Sequence, residues 1–189
     1  MRSLLNLAYE LENTIEIDGE YYDIDMSYDN VLRLYDLFNE TDIDDAAQIE
    51  IAFQMLLNVE IDISIEVKSD IVTKIFENLI SDKKSADNVD IKGNPMPESA
   101  SSNDKVMSFK QDADYIYASF MQDYNIDLFE QQGKLDWRKF LALLDGLKKD
   151  TRLKEVIEIR TMEMPTGKGS SKQRDKIKKA KDAYKLYEE

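Results

Sequence analysis

The sequence contains no cysteine and no histidine among its 189 residues, and only three prolines. Without these two side chains there is no disulfide, no zinc site of the usual Cys/His type and no nucleophile activated by histidine. The lack of cysteine is consistent with a reducing, intracellular setting. No run of about 18 apolar residues is present, as a membrane span would require. The first residues also lack the basic region and apolar core of a secretory signal, so we expect neither secretion nor membrane insertion.

Negative charge is concentrated in the first 80 residues. They contain 19 Asp and Glu against 4 Lys and Arg, whereas residues 165–189 contain 8 Lys and Arg against 4 acids. An acidic body repels nucleic-acid phosphates and speeds encounters with basic partners, although acidic helix faces also serve simply to keep a protein in solution. Asp and Glu interleave with the lysines of the basic segment, so we do not expect nucleic-acid binding. Docking of this segment onto the protein's own acidic face, or fraying, is the expected behaviour.

Hydrophobic periodicity predicts a mainly α protein of two small helical lobes joined by a flexible linker, with a short N-terminal β-hairpin. The acidic first lobe spans 1–80 and the second 109–164, separated by a linker at 81–108 rich in Ser, Asn, Asp and Lys, and a basic helix-prone tail follows at 165–189. Asp18-Gly19 between two β-prone arms is typical of a tight hairpin. Residues 61–65 alternate like a short strand, but we prefer a helix entry there.

Two groups of acids superficially resemble calcium loops, but neither has Gly at the sixth position and Glu at the twelfth. Helix caps and first-turn acids are the simpler interpretation. An enzyme built only on carboxylates stays open, but without a motif to support it we expect no catalytic centre, no bound metal and no cofactor. The first group is Asp23, Asp25 and Asp29, and the second is Asp42, Asp44 and Asp45.

The segment from 109 to 160 concentrates aromatic residues at helical spacing. One helix is predicted to end at Asn125, a second to begin at Asp136 with its carboxylate as cap, and a third to begin near Asp150 or Thr151. We predict a partner-binding stripe along the first two helices, with most of its rings in the core and a few facing a partner. The stripe consists of Tyr117, Phe120, Tyr124, Trp137, Phe140 and Leu144.

The run DADYIYASFMQDYNIDLFEQQGKLDWRKFLALLDGL, followed by TRLKEVIEIR, resembles the bacteriophage gene-product-fifteen family. Family members are encoded near the tape-measure gene of long-tailed phages that infect Gram-positive bacteria. The resemblance implies a tail assembly chaperone or accessory role without catalysis. It is densest from Asp112 to Arg160, and it departs from the family pattern where Asn125 replaces Gly, Asp136 replaces His and Arg138 replaces a second aromatic residue.

Together, the resemblance and the stripe predict a function in tail assembly. Apolar helices of the tape-measure protein would lie in a groove between the first two helices of the stripe. The tail tube protein and a second copy of the chain are further partners to consider, and the expected location is the cytoplasm of the infected host, with the protein absent from the mature virion. The alternative is a structural subunit retained in the phage tail, with the stripe hidden in a permanent contact.

Overall fold

The computed structural model of the protein describes residues 5, 7–81, 106–166 and 171–187. In these ranges the chain is mainly helical with one antiparallel hairpin near its N-terminus, which confirms the predicted fold class. A π-helical turn, Phe76–Ile80, and a 3₁₀ turn, Phe129–Gln131, accompany the longer elements. The longer elements are β1 Thr14–Ile17, β2 Glu20–Asp23, α1 Tyr28–Asn39, α2 Asp45–Leu57, α3 Ile65–Ile75, α4 Ala113–Tyr124, α5 Trp137–Asp145, α6 Arg152–Thr161 and α7 Ser171–Ala183.

The described residues fall into two compact units. The first takes those of Met1–Pro97 together with Gln131–Leu143, and the second takes those of Glu98–Glu130 together with Leu144–Glu189. The predicted lobe at 109–164 is therefore divided, because residues 131–143 join the first unit. Most of the predicted linker at 81–108 lies outside the described residues.

The hairpin forms at the predicted place. Asp18 and Gly19 both have positive φ, 51° and 86°, as a two-residue turn with the twist of the strands requires. Ile17 pairs with Glu20 next to this turn, and Thr14 pairs with Asp23 at the far end. The sequence signal of the Asp-Gly pair is thus confirmed in detail.

The first unit is built around the packing of α1, α2 and α3, and its core includes the fully buried Val31, Leu34 and Phe53. Asp44, one of the acids interpreted as helix caps or first-turn acids, caps α2, since its carboxylate accepts a hydrogen bond from the Ala47 amide at 3.0 Å. The preferred helix entry near 61–65 is also confirmed, because α3 begins at Ile65 and these residues form no strand.

Main-chain hydrogen bonds explain why 131–143 belong to the first unit. The Tyr28 amide donates to the Leu135 carbonyl at 2.9 Å, and the Trp137 amide donates to the Met26 carbonyl at 2.7 Å. Between them lies an isolated antiparallel bridge from Ser27 to Asp136. These contacts join residues about a hundred positions apart, which helical periodicity cannot detect.

In the second unit α4 packs against α6, and α6 contacts α7. A bidentate ion pair links α4 and α6. The guanidinium of Arg160, on α6, donates to both carboxylate oxygens of Asp112, the residue before α4, at 2.7 Å. The side chains of Asp112 and Arg160 are only 1% and 10% exposed. The Ser119 hydroxyl also accepts a hydrogen bond from the Leu153 amide at 2.9 Å. Polar contacts thus fix the α4 and α6 pair alongside its apolar core.

The described part of the basic tail contains α7 and contacts the rest of the second unit through the residues that follow this helix. The described residues of α7 include no buried side chain. Tyr187 instead exchanges two hydrogen bonds of 2.8 Å with the Gln111 side chain, and the Tyr184 ring meets the Tyr115 ring edge to face at 6.3 Å. Arg152 lies over both tyrosine rings. The described part of the tail is therefore held by tyrosines and hydrogen bonds, and its described lysines form no ion pair with an acidic face.

Candidate partner-binding surface

The structure divides the predicted stripe between the two units. Trp137 and Phe140 lie in the first unit, whereas the other four residues lie in the second. Neither unit contains all six side chains, so no groove within a single unit is lined by the whole stripe. Those in the second unit are Tyr117, Phe120 and Tyr124 on α4, and Leu144 near the end of α5.

Trp137 and Phe140 form the aromatic centre of the first unit. Each is 1% exposed, and their rings stack at 5.5 Å between centroids. Phe140 also stacks on Tyr28 at 5.0 Å, and the Trp137 indole donates a hydrogen bond to the Ile80 carbonyl at 3.1 Å. With the indole N–H satisfied and both rings enclosed, these two residues hold the unit together and offer no surface to a partner.

On α4 burial varies along the predicted stripe. Phe120 is fully buried and meets the Tyr124 ring edge to face at 5.8 Å. Tyr124 is partly buried in this contact, and Leu144 is 8% exposed. Tyr117 is partly buried too, but its ring neighbour is exposed. Most of the stripe is thus core, and Tyr117 is the member that leads to the surface.

The exposed neighbour is Phe129, in the short 3₁₀ turn after α4. Its ring is 70% exposed and lies 5.5 Å from the Tyr117 ring, centroid to centroid. Leu128, next to it, is buried and anchors the turn. We call the pair Tyr117 and Phe129 the aromatic surface. Single exposed apolar side chains are normal on protein surfaces, but this exposed phenylalanine adjoins a second ring, so the pair is the candidate contact surface.

Asp127 holds the aromatic surface in shape. One oxygen of its carboxylate accepts from the Phe129 amide at 2.9 Å, and the other accepts from the Tyr117 hydroxyl at 3.4 Å. Burial raises the pKa of Tyr117, and the Asp127 and Glu130 carboxylates raise it further, so the phenol stays neutral near pH 7. The surface is therefore a neutral aromatic pair bordered by negative charge.

Sequence reasoning missed Phe129. It lies outside the three- and four-residue spacing of the stripe, because the chain leaves α4 at Asn125 before reaching it. A signal was present, since an aromatic residue follows Leu128 in a segment of polar residues where no helix is predicted. In the structure the first of these two apolar residues, Leu128, is buried and the second, Phe129, is exposed.

The sequence profile of the bacteriophage Gp15 protein family matches residues 7–186, nearly the whole chain. The protein belongs to this family. The match spans both units, including the parts where the sequence resemblance was weak. The same comparisons found no match among curated proteins or solved structures.

The three departures from the family pattern have local explanations in this Gp15-family protein. Asn125 adopts the left-handed conformation, φ 52°, and ends α4 as predicted. Asp136 and Arg138 bond each other at 2.7 Å, with side chains 8% and 4% exposed. Arg138 also donates to the Asn13 side chain and to the Glu12 carbonyl. The ion pair thus lies at the start of α5, and the hydrogen bonds of Arg138 connect it to the residues before β1.

The Asp136 carboxylate has the predicted capping role, accepting from the Arg138 amide at 2.9 Å. Burial alone would raise the pKa of Asp136, but the hydrogen bonds and charge of Arg138 outweigh it, and the pKa is lowered. The carboxylate is therefore ionised at neutral pH, and the charge of its partner is compensated inside the unit.

The acid groups act as structural residues where their contacts are described. Asp25 accepts from the Ser27 amide at 2.9 Å, and Asp29 pairs with Arg33 at 3.0 Å along α1. Within the described ranges no three acidic side chains gather closely enough to hold a metal ion. Across those same ranges, no helix combines the length and apolar character needed to cross a membrane.

Proposed function

We propose that this Gp15-family protein is a tail assembly chaperone or accessory protein of long-tailed phages of Gram-positive bacteria, binding apolar helices of the tape-measure protein. Family membership supports the phage setting. The observation that carries the binding role is Phe129, 70% exposed against the Tyr117 ring. In this proposal the chain works by binding and catalyses no reaction.

An apolar helix suits the aromatic surface for two reasons. The rings of Tyr117 and Phe129 lie 5.5 Å apart, close to the rise of one helical turn, and their 50° tilt forms a shallow angle against which an amphipathic helix can pack. Asp127 and Glu130 border the pair, so lysines or arginines flanking the apolar stripe of a client would meet opposite charge. The acidic first 80 residues would keep the complex dispersed before assembly.

The proposal places the protein in the cytoplasm of the infected host and outside the finished virion. A chaperone must let its client go when the tail assembles, and a small aromatic contact favours release over permanent capture. The tail tube protein is a second client of the same kind in this proposal, and a second copy of the chain is a competitor for the aromatic surface.

The test is coexpression of the tape-measure protein with the chain carrying Phe129→Ala. Because the ring is exposed, the fold should lose less than about 0.5 kcal/mol. The client should lose most of its solubility, since removing an aromatic anchor weakens binding by about thirtyfold or more. Tyr187→Ala is the matched control, because Tyr187 is an 81% exposed ring of the same unit. It should leave the client soluble.

Two results would contradict the proposal. If the client is equally soluble with Phe129→Ala and with the wild type, the aromatic surface does not bind the client. Finding the protein in stoichiometric amounts in purified virions by mass spectrometry would instead favour the structural subunit.

A further inference from the structure

The outer edge of β2 presents main-chain groups without a partner. Ile17 and Glu20 close the two-residue turn, so the groups of Glu20 and Tyr22 point to β1 and those of Tyr21 and Asp23 point away from it. Among the described residues no hydrogen bond from outside the hairpin reaches the amide or carbonyl of Tyr21 or Asp23. The second strand is therefore an open edge.

This edge opens onto a cleft within the first unit. Further along the same edge the Asp25 amide donates to the Leu56 carbonyl at 2.7 Å, which brings the end of α2 beside the strand. An open cleft of about 700 Å³ lies here, and Met55, Leu57 and Val59 line it opposite β2. We call this space, bounded by Tyr21–Asp25 and 54–59, the β2 cleft. It combines a free strand edge with a partly apolar wall.

Charge at the β2 cleft has one sign. Residues 14–25 contain five acids and neither lysine nor arginine. The last turn of α2 carries no basic residue, so the negative end of its dipole is uncompensated. A second copy of this hairpin would bring acids against acids, because strand pairing places side chains within about 5 Å of each other. The acids of the hairpin are Glu16, Asp18, Glu20, Asp23 and Asp25.

We propose that the β2 cleft binds an extended segment of a partner protein in which Lys or Arg alternates with apolar residues, added to β2 as a third strand. The Tyr21 and Asp23 main-chain groups supply the pairing, as in strand addition at other sheet edges. Because side chains alternate along a strand, one set meets the apolar wall and the other meets the acids. The bound segment is a strand, so this site is separate from the aromatic surface and independent of the proposed function.

The experiment uses the full chain and a labelled peptide of about eight residues that alternates Lys with Val, followed by fluorescence anisotropy. A second peptide carries N-methyl groups on the amides that would pair with β2, and a third carries Glu in place of Lys. Hydrogen exchange reports protection at the Tyr21 and Asp23 amides. The wild-type chain should bind the first peptide, bind the other two at least about tenfold more weakly, and protect both amides.

A matched pair of variants tests the edge from the protein side. Tyr21→Pro removes one outward amide at an edge position, where proline is tolerated, and Tyr21→Thr removes the ring but keeps the amide. Tyr21→Pro should weaken the Lys-Val peptide about tenfold while Tyr21→Thr binds like the wild type. Trp137 fluorescence checks that the first unit stays folded, since this tryptophan is buried there.

Three results would overturn the proposal. They are no binding of the Lys-Val peptide, equal binding of the N-methylated peptide, and protection of the two amides that rises with protein concentration when no peptide is present. The last result would mean that a second copy pairs with the edge. The N-methylated peptide decides the question even if Tyr21→Pro fails to fold, because that comparison leaves the protein unchanged.

Discussion

Replacing Arg160 by methionine should destabilise the second unit strongly. The Asp112 carboxylate, 1% exposed, would lose both hydrogen bonds from the guanidinium and keep the one from the Ser108 amide at 3.0 Å. Removing one partner of a buried pair leaves an uncompensated charge, and such changes cost roughly 3–5 kcal/mol. Arg160 also bonds the Val106 carbonyl at 2.9 Å, which would lose its donor. We expect a loss near the upper part of that range.

The assay is urea unfolding followed by circular dichroism, with hydrogen exchange of the α4 and α6 amides to locate the loss. Glu155→Gln is the control, because Glu155 pairs with Arg152 at 3.3 Å and both side chains are exposed, 51% and 43%. An exposed pair contributes about 0–1 kcal/mol. Adding Asp112→Asn to Arg160→Met should recover part of the loss, since an amide still accepts from Ser108 but carries no charge.

The reasoning fails if Arg160→Met costs no more than Glu155→Gln. It also fails if the double variant is less stable than Arg160→Met alone, because the cost would then come from packing and not from a stranded charge. Exchange that quickens uniformly over α1–α3 while α4 and α6 stay protected would place the effect in the wrong unit.

Three further changes have defined outcomes. The pKa of Asp136 is lowered in the folded state, so the Asp136–Arg138 pair stabilises the protein above the unfolded pKa of about 3.9, and this stabilisation is lost as the pH falls through the folded pKa. Asp136→Asn should therefore make acid denaturation, followed by Trp137 fluorescence, less dependent on pH. Phe140→Ala should cost roughly 3–5 kcal/mol in urea unfolding, because the ring is 1% exposed and leaves a cavity. Gly19→Ala should cost about 1 kcal/mol in thermal unfolding, since φ is 86° with open space around the added carbon.

Features set by neighbouring residues were predictable from the sequence. Asp18-Gly19 predicted the turn because both positions need positive φ. The acids interpreted as helix caps include Asp44, which starts α2 because its carboxylate reaches the Ala47 amide. Asn125 predicted the end of α4 for the same local reason, its tolerance of the left-handed conformation. In each case the determining contact lies within a few residues.

Features set by distant residues were not predictable. Periodicity showed that Trp137 and Phe140 share a face of a helix. The same spacing occurs on helix faces that pack in a core and on faces that bind a partner, so it does not distinguish the two. Their burial depends on Tyr28 and on the Ile80 carbonyl, which belong to separate segments of the chain. The prediction of a shared groove rested on α4 and α5 being neighbours in sequence, whereas main-chain bonds assign the start of α5 to the first unit.

The size of the aromatic surface limits what it can do alone. A phenylalanine buries roughly 150–250 Å² when covered, so a ring already 30% hidden offers roughly 100–175 Å², or about 3–4 kcal/mol at 25 cal/mol per Å². Micromolar binding needs about 8 kcal/mol, so Phe129 can anchor a client but cannot hold it unaided. The remainder has to come from Tyr117, from the bordering acids and from flanking surface. Under the proposed function, such a contact would shield an apolar stripe of the client and would yield to the more extensive packing of an assembled tail.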